Sequence, residues 1–312
     1  MNCPSPFRLV FLAAGRALLQ LLLIGALVQT TTRAAEVATA APVTAVTAGQ
    51  RVFTCGHSFH SWAAPMVRDM ALAAGIKGHE VVGVSSIGGS RVIQHWDVPE
   101  AKNAAKKALM AGAVDVLTLS PIWLPDEGIE NFARLALQHN PDVRITVQEF
   151  WLPNDTYNPV YPLETRKVVN HNAATIPELR KQNDLYRRDI ENHVREINQR
   201  LGKTAVLVVP VGEAAIALRE KIIARQAPGL KVQWSLFRDD WGHATAPLKV
   251  LAAYCHYAVI YRRSPVGLPM PPELERNQEY ATPGLNRLLQ QLAWEAVTAN
   301  PMSGVGAGAA AQ

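Results

Sequence analysis

A serine early in the chain and a histidine far along it are the residues best suited to nucleophilic chemistry. Ser58 follows a glycine in Gly56-His57-Ser58, and His243 follows an aspartate in Asp240-x-x-His243. At that spacing a carboxylate can hold the Nδ1–H of an imidazole while Nε2 faces a serine hydroxyl, which supplies the base that a weak nucleophile needs. Alone, Ser58 would be a helix cap and His243 a loop histidine. Together they indicate acyl-transfer chemistry.

Apolar strands and amphipathic helices alternate along the chain and would bring these two residues to one edge of a sheet. Strands separated by helices predict a parallel sheet covered on both faces, and ligands bind such sheets beyond the carboxyl ends of the strands. The predicted strands are 51–55, 79–84, 114–119, 143–148 and 204–209. The predicted helices are 61–76, 101–111, one capped by Asp126, 178–201, 213–227, 247–261 and 285–298, and the segment 234–237 is strand-like.

The two motifs and the order of the elements resemble the SGNH (GDSL-like) hydrolase superfamily over residues 51–262. The Gly-x-Ser turn that ends at Ser58 is similar to the family's first block, and Asp240-x-x-His243 is similar to its last. The resemblance implies a three-layer α/β/α sandwich of flavodoxin-like type, with a central parallel sheet of about five strands. It also implies Ser58 as nucleophile, His243 as general base and Asp240 as the orienting acid, with Asp239 as the alternative acid.

The resemblance further implies an oxyanion hole, the set of donors that stabilises a tetrahedral intermediate. The amides of Ser58 and of Gly89, in the glycine turn after the second strand, are predicted donors, with Gly88 as the alternative to Gly89. The family's third block, Gly-x-Asn-Asp after the third strand, is absent from residues 119–123 (LSPIW). Asn131 is the nearest substitute, and an exposed helical position is the alternative for it. Because one oxyanion donor is commonly worth about 10²–10³ in rate, this departure bears on activity more than on fold.

Further side chains at the predicted strand ends are expected to contact the substrate. Tryptophan rings suit stacking on sugars, whereas Trp62 is expected to pack in the core. The predicted substrate-binding residues are His57, Trp96, Glu149, Trp151 and Trp241. The histidines near Ser58 lack the i, i+4 spacing of a metalloprotease helix, so neither a metal nor a cofactor is expected.

The first 40 residues have a composition of their own. Three arginines and a single acid, Glu36, accompany a short apolar run, as in a secretory signal peptide. The expected signal spans 1–35, with cleavage after 34, after 35 or within 38–40, and its apolar run is too short for a stable membrane span. Cleavage after Ala34 removes three of the 31 basic residues and none of the 26 acidic ones, so the net charge falls from +5 to +2. No nucleic-acid partner is expected, since no charge block or nucleic-acid-binding motif is present.

The rest of the chain is expected to form one large domain. Its predicted parts are a linker at 36–49, a hydrolase-like domain at 50–265, a C-terminal extension with a helix at 266–302, and a disordered tail at 303–312. The insert 151–177 is longer than a loop that only connects two elements. Two interpretations remain: a functional lid or binding loop, or a surface excursion without a role at the site. Cys55 and Cys255 are expected to be buried free thiols rather than a disulfide pair, and the oligomeric state stays open.

These features predict an exported serine esterase, periplasmic or extracellular, that acts through an acyl-serine intermediate. Export and the tryptophans favour a small-molecule or carbohydrate ester as substrate, such as an O-acetyl group on a sugar. Two alternatives remain. The absent third block suits an impaired SGNH-like domain that binds carbohydrate or a partner, and the same residues would serve an O-acyltransferase.

Overall fold

The computed structural model describes residues 44–157 and 169–306, which belong to the same unit. The predicted signal peptide at 1–35 lies outside the described residues, as do the linker up to residue 43, the middle of the insert at 158–168 and the tail from 307.

Five parallel strands form the central sheet, in the spatial order β2-β1-β3-β4-β5. They are β1 (Arg51–Gly56), β2 (Glu80–Ser86), β3 (Val116–Leu119), β4 (Arg144–Glu149) and β5 (Val206–Pro210). Every residue of β3 and of β5 is buried, as expected for parallel strands that are covered on both faces. The predicted α/β fold is therefore confirmed.

Nine α-helices surround this sheet in the described parts of the chain. They are α1 (Ala63–Ala73), α2 (Val92–Trp96), α3 (Ala104–Met110), α4 (Glu127–His139), α5 (Ile176–Leu201), α6 (Val211–Ile223), α7 (Ala246–Tyr261), α8 (Pro272–Glu275) and α9 (Pro283–Ala299). Helix α7 packs against α1, α6 and α9, whereas α4 packs against α2 and α3. These two groups are the outer layers of the sandwich.

The C-terminal extension is part of the same unit. Helix α9 packs on α7, and the chain beyond it reaches the free edge of β5, where the Val208 amide donates to the Met302 carbonyl at 2.9 Å. Ser303 and Val305 are buried. The prediction of a disordered tail from residue 303 is therefore wrong for these residues, because they cover the edge of the sheet.

One predicted element has a different conformation. The strand-like segment 234–237 is a short 3₁₀ helix, Gln233–Leu236, followed by an isolated bridge between Phe237 and Ala244. The buried Gln233 side chain accepts from Arg219 Nε at 2.6 Å and donates to the Ala174 carbonyl at 2.9 Å. These contacts fix the segment as a helical turn. From the sequence, four mostly apolar residues are compatible with either a strand or a helix.

No helix within 44–157 or 169–306 has the length and apolar character that crossing a membrane requires. Cys55 and Cys255 are free thiols in the core, and burial raises the pKa of both.

Candidate active site

Ser58 lies in a tight turn between the end of β1 and the start of α1. The His57 carbonyl accepts from the amides of His60 at 2.9 Å and Ser61 at 3.0 Å, and Trp62 Nε1 donates to the Ser58 carbonyl at 2.8 Å. The ring nitrogen of His60 occupies the space next to Gly56, where an added Cβ would lie 2.3 Å from Nδ1. The turn is therefore fixed on both sides, and it leaves Ser58 exposed.

The serine contacts a histidine that is itself held by a carboxylate. Ser58 Oγ lies 2.9 Å from His243 Nε2, and His243 Nδ1 lies 2.7 Å from Asp239 Oδ2. The structure thus brings Ser58 and His243 together as expected. It places Asp239 rather than the predicted Asp240 at the imidazole.

The conformation of the loop explains this correction. Asp239 Oδ1 accepts from the amides of Trp241 at 3.1 Å and His243 at 3.2 Å, and Gly242 has a φ of +78°. The loop curls back over Asp239, so its second oxygen faces the ring four residues ahead. Burial alone would raise the pKa of Asp239, but the bonds from the amide and ring of His243 outweigh burial and lower that pKa.

Trp151 packs beneath the loop that carries His243 (residues 238–243, the histidine loop) and is not exposed to substrate. Its side chain is buried, its Nε1 donates to the Gly242 carbonyl at 2.7 Å, and Phe59 stacks on it at 4.9 Å. The Phe59 ring also meets His243 edge-on at 4.9 Å. The substrate-binding role predicted for Trp151 is therefore wrong, because the buried indole packs against the histidine loop and hydrogen-bonds to its backbone.

The two amides predicted as oxyanion donors, those of Ser58 and Gly89, lie on neighbouring turns. The turn after β2 is joined to the serine strand, since the Ile87 amide donates to the Gly56 carbonyl at 3.1 Å. Gly89 in this turn is exposed and has a φ of +60°, a left-handed conformation that favours glycine. Among the described residues, neither the Ser58 amide nor the Gly89 amide donates to another group, which leaves both available to a developing negative charge.

Asn131 is not in the loop that follows β3. Asp126 caps α4 by accepting from the Gly128 amide at 3.0 Å, so the helix starts at Glu127 and turns the chain away from the strand ends. Asn131 is half-buried in the second turn, about 6 Å along the helix axis. The predicted role as oxyanion donor does not fit this position, and the alternative fits in part, because Asn131 is helical but half-buried rather than exposed.

His57 is buried behind the serine turn and does not face substrate. Its Nδ1 accepts from the Phe59 amide at 3.3 Å, so Nε2 carries the proton and donates to Ser120 Oγ at 3.0 Å. Burial lowers the pKa of His57 to about 3. The predicted substrate contact is therefore wrong, and the ring instead links the serine turn to the loop after β3.

Glu149 and Trp96 also lie away from the site. Glu149 is fully buried and accepts from Asn183 on α5 at 3.0 Å, and burial together with the charge of Glu213 raises its pKa to about 8. Trp96 packs edge-on against Phe132 at 5.2 Å. The substrate-binding roles predicted for both residues are wrong, because each side chain points into a helical layer.

Trp241 remains a candidate for substrate contact, since it is half-exposed in the histidine loop. Trp62, which was expected in the core, is half-buried and holds the serine turn through its indole nitrogen. Sequence reasoning assigned no role to His95, which fixes the glycine turn, or to His171, which contacts the Asp239 carbonyl at 3.3 Å. The available signals were the position of His95 after the glycine turn and the position of His171 in the long insert.

The fold and the site define an α/β protein with a serine–histidine–aspartate arrangement at the carboxyl edge of its sheet. No family model matches the chain, and no curated protein matches it. Among solved structures, it is similar to one described as a putative SGNH hydrolase from Slackia heliotrinireducens, with 15% identity and a TM-score of 0.40. That match covers 67% of this chain and 97% of the other.

Proposed function

We propose that the protein is a serine esterase that acts through a covalent acyl-Ser58 intermediate. The observation that carries the proposal is the 2.9 Å contact between Ser58 Oγ and His243 Nε2, with Asp239 on the other ring nitrogen at 2.7 Å. A serine hydroxyl is a weak nucleophile until an adjacent base takes its proton, and this contact supplies the base.

The proposed reaction has two halves. His243 Nε2 accepts the hydroxyl proton while Ser58 Oγ attacks the ester carbonyl, and the resulting oxyanion accepts hydrogen bonds from the amides of Ser58 and Gly89. His243 then donates the proton to the leaving alcohol, and the carbonyl re-forms on Ser58. Water attacks the acyl-enzyme with His243 again as base, which releases the acid and restores the serine. Asp239 stabilises the imidazolium in both halves.

The proposed substrate is an O-acetyl or similar short-chain ester on a carbohydrate, met outside the cytoplasm. The half-exposed rings of Trp62 and Trp241 beside the serine and histidine turns support this, because indole faces suit sugar rings. The signal-like composition of the first 40 residues supports export to a periplasm or the medium.

Replacement of Ser58 tests the proposal directly. Ser58→Ala removes the nucleophile, so the kcat for p-nitrophenyl acetate is expected to fall at least about 10³-fold, with the thermal transition nearly unchanged because Ser58 is exposed. Ser61→Ala is the matched control, since Ser61 lies in the same turn and contacts Ser86 Oγ at 3.1 Å rather than the histidine.

Covalent labelling supplies the second arm of this test. A fluorophosphonate probe is expected to modify wild-type protein and Ser61→Ala but not Ser58→Ala. Equal hydrolysis by Ser58→Ala and the wild type would reject the esterase assignment. Absence of both hydrolysis and labelling in the wild type would instead favour a domain that only binds its ligand.

A further inference from the structure

We propose that His171, in the insert between β4 and α5, is a positioning residue that holds Asp239 and thereby aligns His243 for proton transfer. This inference rests on the proposed esterase function and extends it to a segment beyond the serine, histidine and aspartate. It gives the long insert a role in catalysis.

The contacts of His171 connect the insert to the histidine loop. The ring is completely buried; its Nε2 lies 3.3 Å from the Asp239 carbonyl oxygen, and its Nδ1 lies 3.0 Å from Asp155 Oδ2. Both neighbours are hydrogen-bond acceptors, so each ring nitrogen faces a group to which an imidazole N–H can donate. The ring also packs against Phe237 at 4.2 Å, at the start of the same loop. His171 therefore holds the loop through both polar and apolar contacts.

A buried arginine anchors both described parts of the insert. Arg219 on α6 is 4% exposed and pairs with Asp155 through both terminal nitrogens, and its Nη2 donates to the His171 carbonyl at 2.8 Å. Burial alone would raise the pKa of Asp155, but the bonds from His171 and Arg219 outweigh burial and lower that pKa. Asp155 precedes the undescribed residues 158–168 and His171 follows them. One guanidinium on a packed helix thus contacts both described parts of the insert.

The backbone carbonyl of Asp239 connects His171 to the residues of the proposed catalytic site. Its carbonyl accepts from His171 and from the Gly242 amide at 3.0 Å, while both oxygens of its carboxylate bind within the loop. The carbonyl bond is therefore a tie between the catalytic acid and a group outside its own loop. A misplacement of about 1 Å in a catalytic group can cost about 10²-fold in rate, so the loss of this tie should lower kcat.

A pair of amide substitutions separates positioning from packing. Asparagine places its nitrogen near the site of Nδ1, so His171→Asn keeps a hydrogen-bond partner for Asp155. It removes the side-chain donor to the Asp239 carbonyl. Glutamine places its nitrogen near the site of Nε2, so His171→Gln keeps the donor to Asp239. Both variants lose the ring that packs on Phe237, so each is a packing control for the other.

The expected result is a difference between the two variants in kcat. With p-nitrophenyl acetate, His171→Asn should lower kcat at least about tenfold with KM within about twofold, whereas His171→Gln should stay within about threefold of wild type. The acid limb of the kcat/KM profile should also move to lower pH in His171→Asn, because His243 loses part of the support of the Asp239 carboxylate. Equal losses in both variants that follow their thermal stability would overturn the proposal.

A readout without turnover keeps this inference separate from the proposed function. The low-field proton resonance of His243 Nδ1–H, assigned by its loss in Asp239→Asn, should shift in His171→Asn and remain in His171→Gln. If wild type neither hydrolyses acetyl esters nor reacts with fluorophosphonate, the esterase assignment fails while this measurement still decides whether His171 holds Asp239. An unchanged resonance in both variants would overturn the positioning role.

Asp155→Asn tests the same tie if His171→Asn does not fold. It leaves the imidazole in place and weakens the contacts of Asp155 to both His171 and Arg219, so a shift of the His243 resonance in the same direction is expected. An unchanged resonance in that variant would again contradict the positioning role.

Discussion

Asp239 uses both carboxylate oxygens to shape the loop that carries His243. One oxygen accepts the two amides that close the turn, and the other holds the imidazole at 2.7 Å. Its lowered pKa keeps it ionised at neutral pH, so in the proposed mechanism it would stabilise the imidazolium of His243. Asp240 lies next to it in sequence but does not make the contact with the ring.

The two aspartates should therefore differ sharply when each is changed to asparagine. Asp239→Asn removes the charge and offers an amide that can hold the wrong tautomer of His243, so kcat for p-nitrophenyl acetate should fall by about 10³–10⁴. Asp240→Asn is the matched control and should stay within about threefold of wild type. Steady-state kinetics of the two variants tests this, and a larger loss in Asp240→Asn would contradict the geometry.

The turn between β2 and α2 is the element that presents the Gly89 amide, and one buried side chain fixes its shape. His95 Nδ1 lies 2.8 Å from Ser85 Oγ at the end of β2, and Nε2 lies 2.8 Å from Ser90 Oγ after the glycines. Burial lowers the pKa of His95 to about 4, so the ring is neutral near pH 7 and bridges both hydroxyls.

Loss of this bridge should weaken oxyanion stabilisation without removing any reacting group. His95→Ala frees both ends of the turn, so kcat for p-nitrophenyl acetate should fall about tenfold to 10²-fold with little change in KM. His139→Ala at the exposed end of α4 is the control. Wild-type kcat in a folded His95→Ala protein would show that the turn keeps its shape without the imidazole.

At the scale of elements, the sequence predicts the longer structures well and the site geometry less well. Apolar periodicity reflects burial against the sheet, so all five strands and the long helices are found close to their predicted positions. Helix α2 has five residues, fewer than two turns, and is too short to show a period. A strand that is covered on both faces gives no alternation, so the direction of Glu149 could not be predicted.

The choice between Asp239 and Asp240 shows the same limit at the level of a loop. It depends on a positive φ at Gly242 and on two amide bonds within the turn. None of these is visible in the residue types. Ser58 could be predicted from the end of the first strand, and His243 from the Asp-x-x-His spacing and the family resemblance, whereas the choice of aspartate depends on local backbone conformation.

The molecule as a whole buries several neutral histidines behind the site. Burial is the largest cause of the lowered pKa of each: about 3 for His57 and His256, about 4 for His95, and well below the ordinary value for His60. His256 on α7 contacts Gln148 Oε1 at 2.9 Å, and Gln148 Nε2 donates to the Phe59 carbonyl at 3.2 Å. The residues of the serine turn therefore pack against uncharged imidazole rings.

This burial should make the fold sensitive to acid. The unfolded chain binds a proton at each histidine below about pH 6.5 while the folded chain does not until pH 3–4, so the histidines' contribution to stability is fully present above about pH 6.5 and is lost as pH drops through that window. The raised pKa of Glu149 offsets the contribution of about one histidine. Each such histidine should lower the free energy of unfolding by about 1.4 kcal/mol per pH unit below about pH 6. Urea unfolding of Ser58→Ala at pH 7, 6 and 5 measures this slope.

His256→Gln in that background removes one titrating ring and can keep a donor to Gln148, so its slope should be shallower by about that amount. Equal slopes, or stability that does not change between pH 7 and 5, would show that the rings do not stay neutral in the folded protein.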